Sequence, residues 1–182
     1  MYTRGDPIAL TRDCEATLIP SGSRVVIPEH TEVVIAQALG GSYTVYVSGN
    51  MARIEGFDAD ALGIEPEPEP DMDDDASEEE VEAYCWERMK SCFDPEIPIN
   101  IVDLGLVYEC NLTPIGNKRY HVDVLMTLTA PGCGMGDVIA QDVKIKLERI
   151  PQVDQARVDL TFDPPWHRDM MTDEAKLQTG ML

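Results

Sequence analysis

A proline-rich acidic segment near the middle of the 182-residue chain limits how the rest can fold. Residues 58–82 carry thirteen aspartate and glutamate side chains and no lysine or arginine. The Glu-Pro repeat at 65–70 favours an extended backbone, and the acidic run at 71–75 repels itself, so neither should enter a core. We therefore interpret this region as a linker between two domains. The predicted parts are a first domain at 1–57, the linker at 58–76, a second domain at 77–170, and a C-terminal helix and tail at 171–182.

The first domain consists of short runs of β-branched and aromatic residues separated by turn residues. Gly40-Gly41 fits a tight hairpin turn, because glycine adopts positive φ without strain. Short strands at regular spacing are typical of a barrel or sandwich. We predict a small all-β domain of this kind, with a structural or docking role. Its predicted strands are 16–19, 24–27, 32–36, 42–47 and 52–54.

The second domain shows the pattern of a helix followed by a β-α-β unit. Ser77 and Glu80 form the Ser-x-x-Glu pattern of a capping box, ahead of apolar residues at helical spacing. Residues 120–128 alternate like a strand, 135–150 carry a helical apolar stripe, and 153–162 form a further strand. This order predicts two parallel strands with a right-handed crossover. The predicted class is α+β, with the β domain linked to an α/β domain of short mixed sheet, β-α-β unit and N-terminal capping helix.

A cysteine stands between the first strand of that unit and its helix. Residues 127–137 read Thr-Leu-Thr-Ala-Pro-Gly-Cys-Gly-Met-Gly-Asp, and the thiol of Cys133 lies among three glycines. A helix N-terminus carries partial positive charge, which lowers the pKa of a thiol and favours the thiolate that attacks or binds metal. The alternative is a tight turn with a small buried cysteine. The local pattern favours a functional thiol but does not fix its chemistry.

The remaining cysteines and histidines do not suggest a second site. The five cysteines are odd in number and include no Cys-x-x-Cys pair, which argues against a disulfide framework or a zinc knuckle. The three histidines show no ligand spacing. Cys85 and Cys92 share a helix face but lie about 10 Å apart along the axis, too far for a disulfide. We assign both to core packing.

Charge and hydropathy exclude several partners. The formal net charge of -20 makes nucleic acid and anionic membranes poor partners for the chain as a whole. No apolar run approaches the roughly 18 residues that span a bilayer. The N-terminus has no apolar signal core. We therefore expect a cytoplasmic location.

Asp94, Glu96 and Trp166 each have two interpretations. The stiff Asp-Pro-Glu-Ile-Pro loop either uses Asp94 as an ordinary turn cap or holds carboxylates near the Cys133 loop. Trp166 either covers the Cys133 site or fills the core, and the large area that a tryptophan buries favours the core.

Three long motifs stand out among these features. They are Asp-Pro-Glu-Ile-Pro-Ile-Asn-Ile-Val-Asp-Leu-Gly-Leu-Val-Tyr at 94–108, Thr-Leu-Thr-Ala-Pro-Gly-Cys at 127–133, and Phe-Asp-Pro-Pro-Trp at 162–166. Together they resemble the small iron–sulfur assembly domain of SufT-type proteins, cytosolic iron–sulfur targeting factors and PaaD-like proteins. The resemblance covers roughly 77–170. The first half is similar to the N-terminal extension of longer bacterial SufT-type proteins, on matching pieces at 12–16, 19–22, 39–45 and 58–63.

The resemblance implies an auxiliary factor, not an enzyme, that aids iron–sulfur cluster assembly or transfer to client proteins. Cys133 matches the family's reactive, cluster-contacting cysteine, which makes it the implied metal ligand. The implied supporting residues are the acidic motif residues Asp94 and Glu96, the Thr-x-Thr residues Thr127 and Thr129, and Gly132, Gly134 and Trp166.

One thiolate cannot hold a cluster that normally takes four cysteine ligands. We therefore expect a transient cluster shared between subunits or with a client, a homo-oligomer, and client proteins and assembly machinery as partners. Two alternatives remain open. One is a client-recruiting adaptor without cluster binding, and the other is an enzyme in which Cys133 is the nucleophile and His167, rather than His121, is the base.

Overall fold

The computed structural model describes residues 5–94, 96–132 and 134–180. The chain divides into two compact units, Met1–Glu69 and Pro70–Leu182, each with its own hydrophobic core. The first unit is built on an antiparallel sheet, and the second combines a small mixed sheet with helices, so the predicted α+β class is confirmed. No described helix is both long and apolar enough to span a bilayer.

The first unit contains one six-stranded antiparallel sheet in the order β1-β4-β5-β6-β2-β3. All six strands belong to one hydrogen-bonded sheet, and β1 and β3 are its edges among the described strands. Gly40 and Gly41 form the predicted hairpin turn, with φ of 61° and 74°. The strands are β1 (Pro7–Ala9), β2 (Cys14–Ile19), β3 (Arg24–Ile27), β4 (Glu32–Leu39), β5 (Ser42–Val47) and β6 (Asn50–Ile54).

A short 3₁₀ helix, Gly56–Leu62, completes this unit and differs from the linker interpretation of residues 58 onward. Its apolar side chains, including Leu62, are buried in the first core. The carboxylates of Asp58 and Asp60 accept hydrogen bonds from the Arg12 guanidinium at 2.9 Å and 2.6 Å. These hydrogen bonds lower the pKa of Asp60. The helix packs because a distant arginine neutralises the charges that the local sequence leaves unopposed.

The last part of the predicted linker is likewise attached, in this case to the second unit. Ala76 is buried in the second core. The backbone carbonyls of Asp73 and Asp75 accept hydrogen bonds from Gln152 and Lys118, at 2.9 Å and 2.8 Å. Composition alone could not predict these attachments, since they use backbone oxygens rather than the acidic side chains.

The second unit confirms the predicted β-α-β unit. β7 and β8 are antiparallel, β8 and β9 are parallel, and α2 forms the crossover between the parallel pair. Alternate residues of β8, from Tyr120 to Met126, enter the core together with apolar residues of α1 and α2. The elements are α1 (Glu78–Met89), β7 (Val107–Gly116), β8 (Arg119–Met126), α2 (Gly136–Glu148), β9 (Val153–Leu160) and α3 (Asp173–Gln178).

The predicted capping box at the start of α1 is confirmed. The Ser77 hydroxyl accepts a hydrogen bond from the Glu80 N–H at 3.3 Å, and the Glu80 carboxylate accepts one from the Ser77 N–H at 2.8 Å. Both bonds satisfy N–H groups that have no partner within the helix. Helix α1 therefore begins at Glu78 with both of these N–H groups hydrogen-bonded.

Helix α2 also buries an ion pair that its apolar stripe does not predict. The Lys146 side chain is 2% exposed, lies 3.4 Å from Asp142 Oδ1, and donates to the Ser91 carbonyl at 2.8 Å. In sequence, an Asp-Lys pair four residues apart is typical of a solvated helix face. Here it joins α2 to the turn that follows α1.

Replacing the capping serine should destabilise the second unit. Ser77→Ala should lower the free energy of unfolding by about 1 kcal/mol, because the Glu80 N–H loses its acceptor. Both tryptophans of the chain, Trp86 and Trp166, lie in this unit, so fluorescence-detected urea unfolding reports on it.

The matched control is Glu80→Gln, which keeps an acceptor for the Ser77 N–H and should cost less. Hydrogen bonds from Ser77 lower the pKa of Glu80, so the carboxylate's contribution is present at neutral pH. This contribution is lost as the pH falls through the lowered folded-state pKa of Glu80. The free energies of unfolding of Glu80→Gln and of the natural chain should then converge. An unchanged urea midpoint in Ser77→Ala would contradict the capping role.

Candidate functional site

Three loops leave the mixed sheet at one end. β8 and β9 are parallel, so the loops that follow them start from the same edge. β7 runs antiparallel and begins with Val107 opposite Met126, so the loop that precedes β7 reaches this edge too. Ligands of α/β sheets commonly bind outside the carboxyl ends of strands. The topology therefore brings the three sequence motifs to one place.

Backbone hydrogen bonds join these loops. The Thr127 N–H donates to the Leu106 carbonyl at 2.8 Å, which joins the second motif to the first. The Thr161 N–H donates to the Met126 carbonyl at 2.8 Å, which holds the third motif beside the end of β8. The motifs are thus parts of one local structure, although they are separated in sequence.

Trp166 supports the first loop from the third. Its indole N–H donates to the Leu104 carbonyl at 2.7 Å, and its partly buried ring packs against the core of the second unit. These contacts fit the interpretation of Trp166 as a core-filling residue. Whether Trp166 also covers Cys133 stays a prediction.

Asp94 acts as a turn cap. Its side chain is 2% exposed, and Oδ1 accepts hydrogen bonds from the N–H groups of Glu96 and Ile97, both at 2.9 Å. Its own N–H donates to the Ile99 carbonyl at 3.2 Å. The structural interpretation of Asp94 is therefore observed, whereas Glu96 is exposed and makes no such anchor. Their proximity to the thiol stays a prediction.

Other residues of the first motif also have structural roles, and the sequence pattern did not predict these roles. Asn100 Nδ2 donates a hydrogen bond to Asp103 Oδ2 at 2.6 Å, and the Asp103 N–H donates one to Asn100 Oδ1 at 2.9 Å. Gly105 has φ of +73°, and a Cβ there would lie 2.2 Å from the Met170 carbonyl oxygen. Only glycine allows the third loop to approach so closely. The Asp-Leu-Gly sequence at 103–105 is the feature that could have predicted a tight turn here.

Cys133 lies outside the described residues, but both neighbours are described. Gly132 and Gly134 are exposed, and a Cβ added to either would meet no atom within 4 Å. Gly132 needs glycine for its backbone, since its φ is +76°. Gly134 is outside the left-handed region, so neither space nor conformation requires glycine there. Both glycines leave open space on the two sides of the thiol in sequence.

Gly136 has a different role from the other two glycines of the loop. It begins α2, and a Cβ there would lie 2.8 Å from Leu128 Cδ1 and 3.3 Å from Leu160 Cδ1. The start of α2 therefore lies directly against side chains from the ends of β8 and β9. Met135 at the N-cap makes no side-chain cap among the described residues, and the first turn contains the acidic residue Asp137.

Thr127 carries an unusual buried hydroxyl. Its side chain is 0% exposed, and Oγ1 has no hydrogen-bond partner within the part of the chain that the structure describes. A buried hydroxyl without a partner costs about 1–3 kcal/mol, so such groups call for a functional explanation. Thr129, two residues on, is only half-buried. Thr127 is therefore the supporting residue with the clearest physical signature.

Neither histidine forms a catalytic pair in the described structure. His121 Nε2 lies 3.5 Å from Asp154 on the outer face of β8, opposite the core, as alternation predicts. His167 is exposed, with Nδ1 3.8 Å from Asp169. Across residues 5–94, 96–132 and 134–180, no group of three or more histidine, cysteine, aspartate or glutamate side chains could hold a metal ion.

The other four cysteines are free and buried, which confirms the core-packing interpretation of Cys85 and Cys92. Burial raises the pKa of Cys14 to about 12, so its thiol stays protonated and is a poor ligand. Its role is that of a small core residue in β2.

The comparisons with known proteins agree with this architecture. Residues 82–160 match the family model described as iron–sulfur cluster assembly protein. A Porphyromonas gingivalis protein described as an Fe-S protein maturation auxiliary factor is 45% identical over 94 residues, covering 52% of this chain and 86% of that protein. The Staphylococcus aureus Fe-S protein maturation auxiliary factor SufT is 43% identical over 88 residues, covering 48% and 96%.

A solved structure has a fold similar to that of the second unit. The crystal structure of a Bacillus anthracis protein described as a domain of unknown function is 33% identical, with a TM-score of 0.50. The match covers 57% of this chain and 95% of that one. The fold and the joined motifs thus define a domain of the iron–sulfur assembly class. The chain belongs to the iron–sulfur cluster assembly protein family, as a SufT-type member.

The two glycines at 134 and 136 should respond differently to alanine. Gly136→Ala should lower the free energy of unfolding by about 1–3 kcal/mol, because the new methyl group must displace packed leucine side chains. Gly134→Ala adds a methyl group in open space and should leave urea unfolding nearly unchanged. Equal stability of the two variants would refute the close approach of α2 to the strand ends.

Proposed function

We propose that the protein is an auxiliary factor in iron–sulfur protein maturation, which aids cluster assembly or transfer to clients through the Cys133 thiolate. Two relatives are described as Fe-S protein maturation auxiliary factors, and together they support the general role. The structural observation that carries the proposal is the junction of three motifs, joined by hydrogen bonds around the loop that contains Cys133. The protein acts without turnover, as a carrier.

The cluster is cargo in this proposal and not a resident cofactor. Iron–sulfur clusters normally take four cysteine ligands, and each chain offers one thiol in the loop. The described residues contain no other set that could hold a metal. A cluster held by Cys133 therefore needs ligands from a second copy, a client or a small thiol. This requirement supports a homo-oligomer or a client complex as the loaded state.

Three observations on the described residues support a thiol that is reactive and reachable. Cys133 lies three residues before the first residue of α2 in sequence, and the partial positive charge of a helix N-terminus favours a thiolate over a thiol. The exposed glycines at 132 and 134 leave room for a second ligand to approach. The capped turn at Asp94 and the Trp166 hydrogen bond hold the neighbouring loops still. The proposal thus rests on exposed glycines on both sides of Cys133 in sequence and on hydrogen-bonded loops beside them.

Thr127 supplies a polar group at this base. Its hydroxyl can donate to a sulfur atom of the cargo or of Cys133, which would give the buried oxygen the partner that the described residues lack. A bond that forms only in the loaded state would stabilise that state, because the cost of the unpaired hydroxyl is retained in the empty protein and relieved by the cargo.

The alternative functions gain less support. A nucleophilic enzyme needs a base beside its thiol, and the described contacts of His121 and His167 are with solvent-exposed aspartates. An adaptor role for the first unit has no specific contact in its favour. A cytoplasmic location stays part of the proposal.

Removing the loop thiol should abolish cluster loading. After anaerobic reconstitution with iron and sulfide, the natural chain should bind both and show thiolate-to-iron absorption, and Cys133→Ser should lose most of this signal. Native mass measurement should show the cluster-bearing species as an oligomer, because one chain supplies one ligand. Cluster transfer to an apo-ferredoxin should fall in parallel.

The control is Cys92→Ala, which removes a buried thiol from the same unit. It should load like the natural chain. Equal iron uptake by Cys133→Ser and the natural chain would sink the carrier proposal. A monomer that holds a full cluster would contradict the shared site while leaving the thiolate's role intact.

Thr127→Val should separate stability from function. Valine keeps the shape of the side chain but removes the unpaired hydroxyl. The free energy of unfolding measured in urea should therefore be unchanged or higher by about 1 kcal/mol or more. Iron retention after reconstitution should nevertheless fall. Thr113→Val, an exposed strand position, is the matched control and should retain iron normally. A destabilised Thr127→Val with normal iron retention would make the hydroxyl purely structural.

A further inference from the structure

Exposed apolar residues lie on two of the three loops that meet at one edge of the mixed sheet. Ala130 and Pro131 belong to the loop after β8, and Phe162, Pro164 and Pro165 belong to the loop after β9. All of them are exposed, and Phe162 is 43% exposed. We call these residues the apolar rim. Single apolar residues on a surface are ordinary, but their concentration at one edge of a sheet is typical of an interaction surface.

Phe162 has the largest side chain of the apolar rim, and the backbone just before it is paired with the end of β8. The Thr161 N–H donates to the Met126 carbonyl at 2.8 Å, so Phe162 lies one residue beyond that hydrogen bond. Trp166 of the same motif packs against the second core, whereas Phe162 is not among the described residues that do so. The third motif thus leaves one of its aromatic rings exposed and forgoes the stabilisation that burial would give.

Hydrogen bonds hold the loop that carries Phe162. The Tyr108 hydroxyl donates to the Pro164 carbonyl at 2.7 Å, and the Trp166 indole N–H donates to the Leu104 carbonyl at 2.7 Å. Together with the bond before Phe162, they fix the backbone on both sides of the exposed ring. An aromatic side chain on a fixed backbone loses little conformational entropy when a partner covers it, and proline side chains lose almost none.

The carrier function requires another chain to come against this edge of the sheet. One thiol cannot complete a cluster, and cysteines of the recipient must replace Cys133 before the cluster leaves. A recipient is therefore needed at every delivery, whether or not two copies of this chain share the cluster beforehand. The formal net charge of -20 opposes the close approach of a second copy, but it does not oppose a less acidic recipient. Both points favour a client as the chain that covers the apolar rim.

We propose that the apolar rim is the docking surface for the client that receives the cluster, with Phe162 as its main contact. The client segment that fits this surface carries apolar side chains next to its cysteine ligands. The inference rests on the proposed carrier function and adds the surface that recognises the client. In the exchange, a client thiol gives its proton to the departing Cys133 sulfur and binds iron in its place. One iron–sulfur bond forms as another breaks, and no electron is transferred.

Replacing the exposed ring should weaken transfer without affecting loading. Phe162→Ser should take up as much iron and sulfide as the natural chain during anaerobic reconstitution. With apo-ferredoxin as the acceptor, the acceptor concentration that gives half of the maximal transfer rate should rise by about tenfold or more, because an aromatic contact is lost. The maximal rate should change much less, since thiol exchange does not use the ring. Phe162→Leu keeps an apolar side chain and should restore most of the loss.

The matched control is Ile115→Ser, which removes an equally exposed apolar side chain from the opposite end of the same sheet. Ile115 is 44% exposed and lies in β7 beside the hairpin turn. Along the strand it is about 25 Å from Val107, the residue at which β7 begins near the apolar rim. This variant should transfer the cluster normally. Urea unfolding of both serine variants should match that of the natural chain, which excludes a folding defect.

Loading and transfer distinguish the failure of docking from the failure of the carrier function. A natural chain that takes up no iron would overturn the carrier function and the docking that depends on it. If Phe162→Ser loads normally and shows the natural dependence on acceptor concentration, only the docking proposal is wrong. An equal defect in Ile115→Ser would also overturn it. So would a loaded Phe162→Ser species of lower native mass than the loaded natural chain, because the apolar rim would then join two copies instead of binding a client.

Discussion

The parallel pairing of β8 with β9 is the interaction on which the site depends. Because both strands point the same way, the loop with Cys133 and the loop with Trp166 begin at one edge. The antiparallel β7 then brings a third loop to that edge from the opposite direction. Once the strands are paired, a single backbone hydrogen bond at the ends of neighbouring strands suffices to join each loop to the next. An antiparallel β9 would have sent its loop to the far end of the sheet.

The site combines rigid and open parts in a fixed arrangement. Three residues fix the backbone conformation of the first loop. Asp94 and Asn100 do so through hydrogen bonds, and Gly105 does so by allowing a close approach of the third loop. The glycines on either side of Cys133 differ from these residues, because a Cβ added to either glycine would meet no atom within 4 Å. Thr127 stands between these two classes, because it is fully buried and yet its hydroxyl is unpaired among the described residues. The proposed carrier role would use such a polar group, because an unpaired hydroxyl can still form a hydrogen bond to incoming cargo.

Sequence patterns predicted the parts of this fold that depend on local periodicity. Alternation in β8, the stripe of α2 and the capping box at Ser77 each follow from neighbours within one element. The resemblance singled out three motifs, and the structure joins them through backbone and indole hydrogen bonds. Sequence could not assign roles to the individual glycines of the Cys133 loop. Gly134 was named as a supporting residue and Gly136 was not, although only Gly136 contacts the strand ends. Contacts between distant segments also escaped prediction, as with Arg12 holding Asp58 and Asp60.

Helix α2 is fastened at two points that serve different loops. Its first residue, Gly136, rests on the strand ends, and Lys146 holds the carbonyl of Ser91, just before the turn of Asp94. Ten residues separate these points, which is about 15 Å of helix. The same helix therefore connects the strand ends that precede the second and third motifs to the backbone that precedes the first motif.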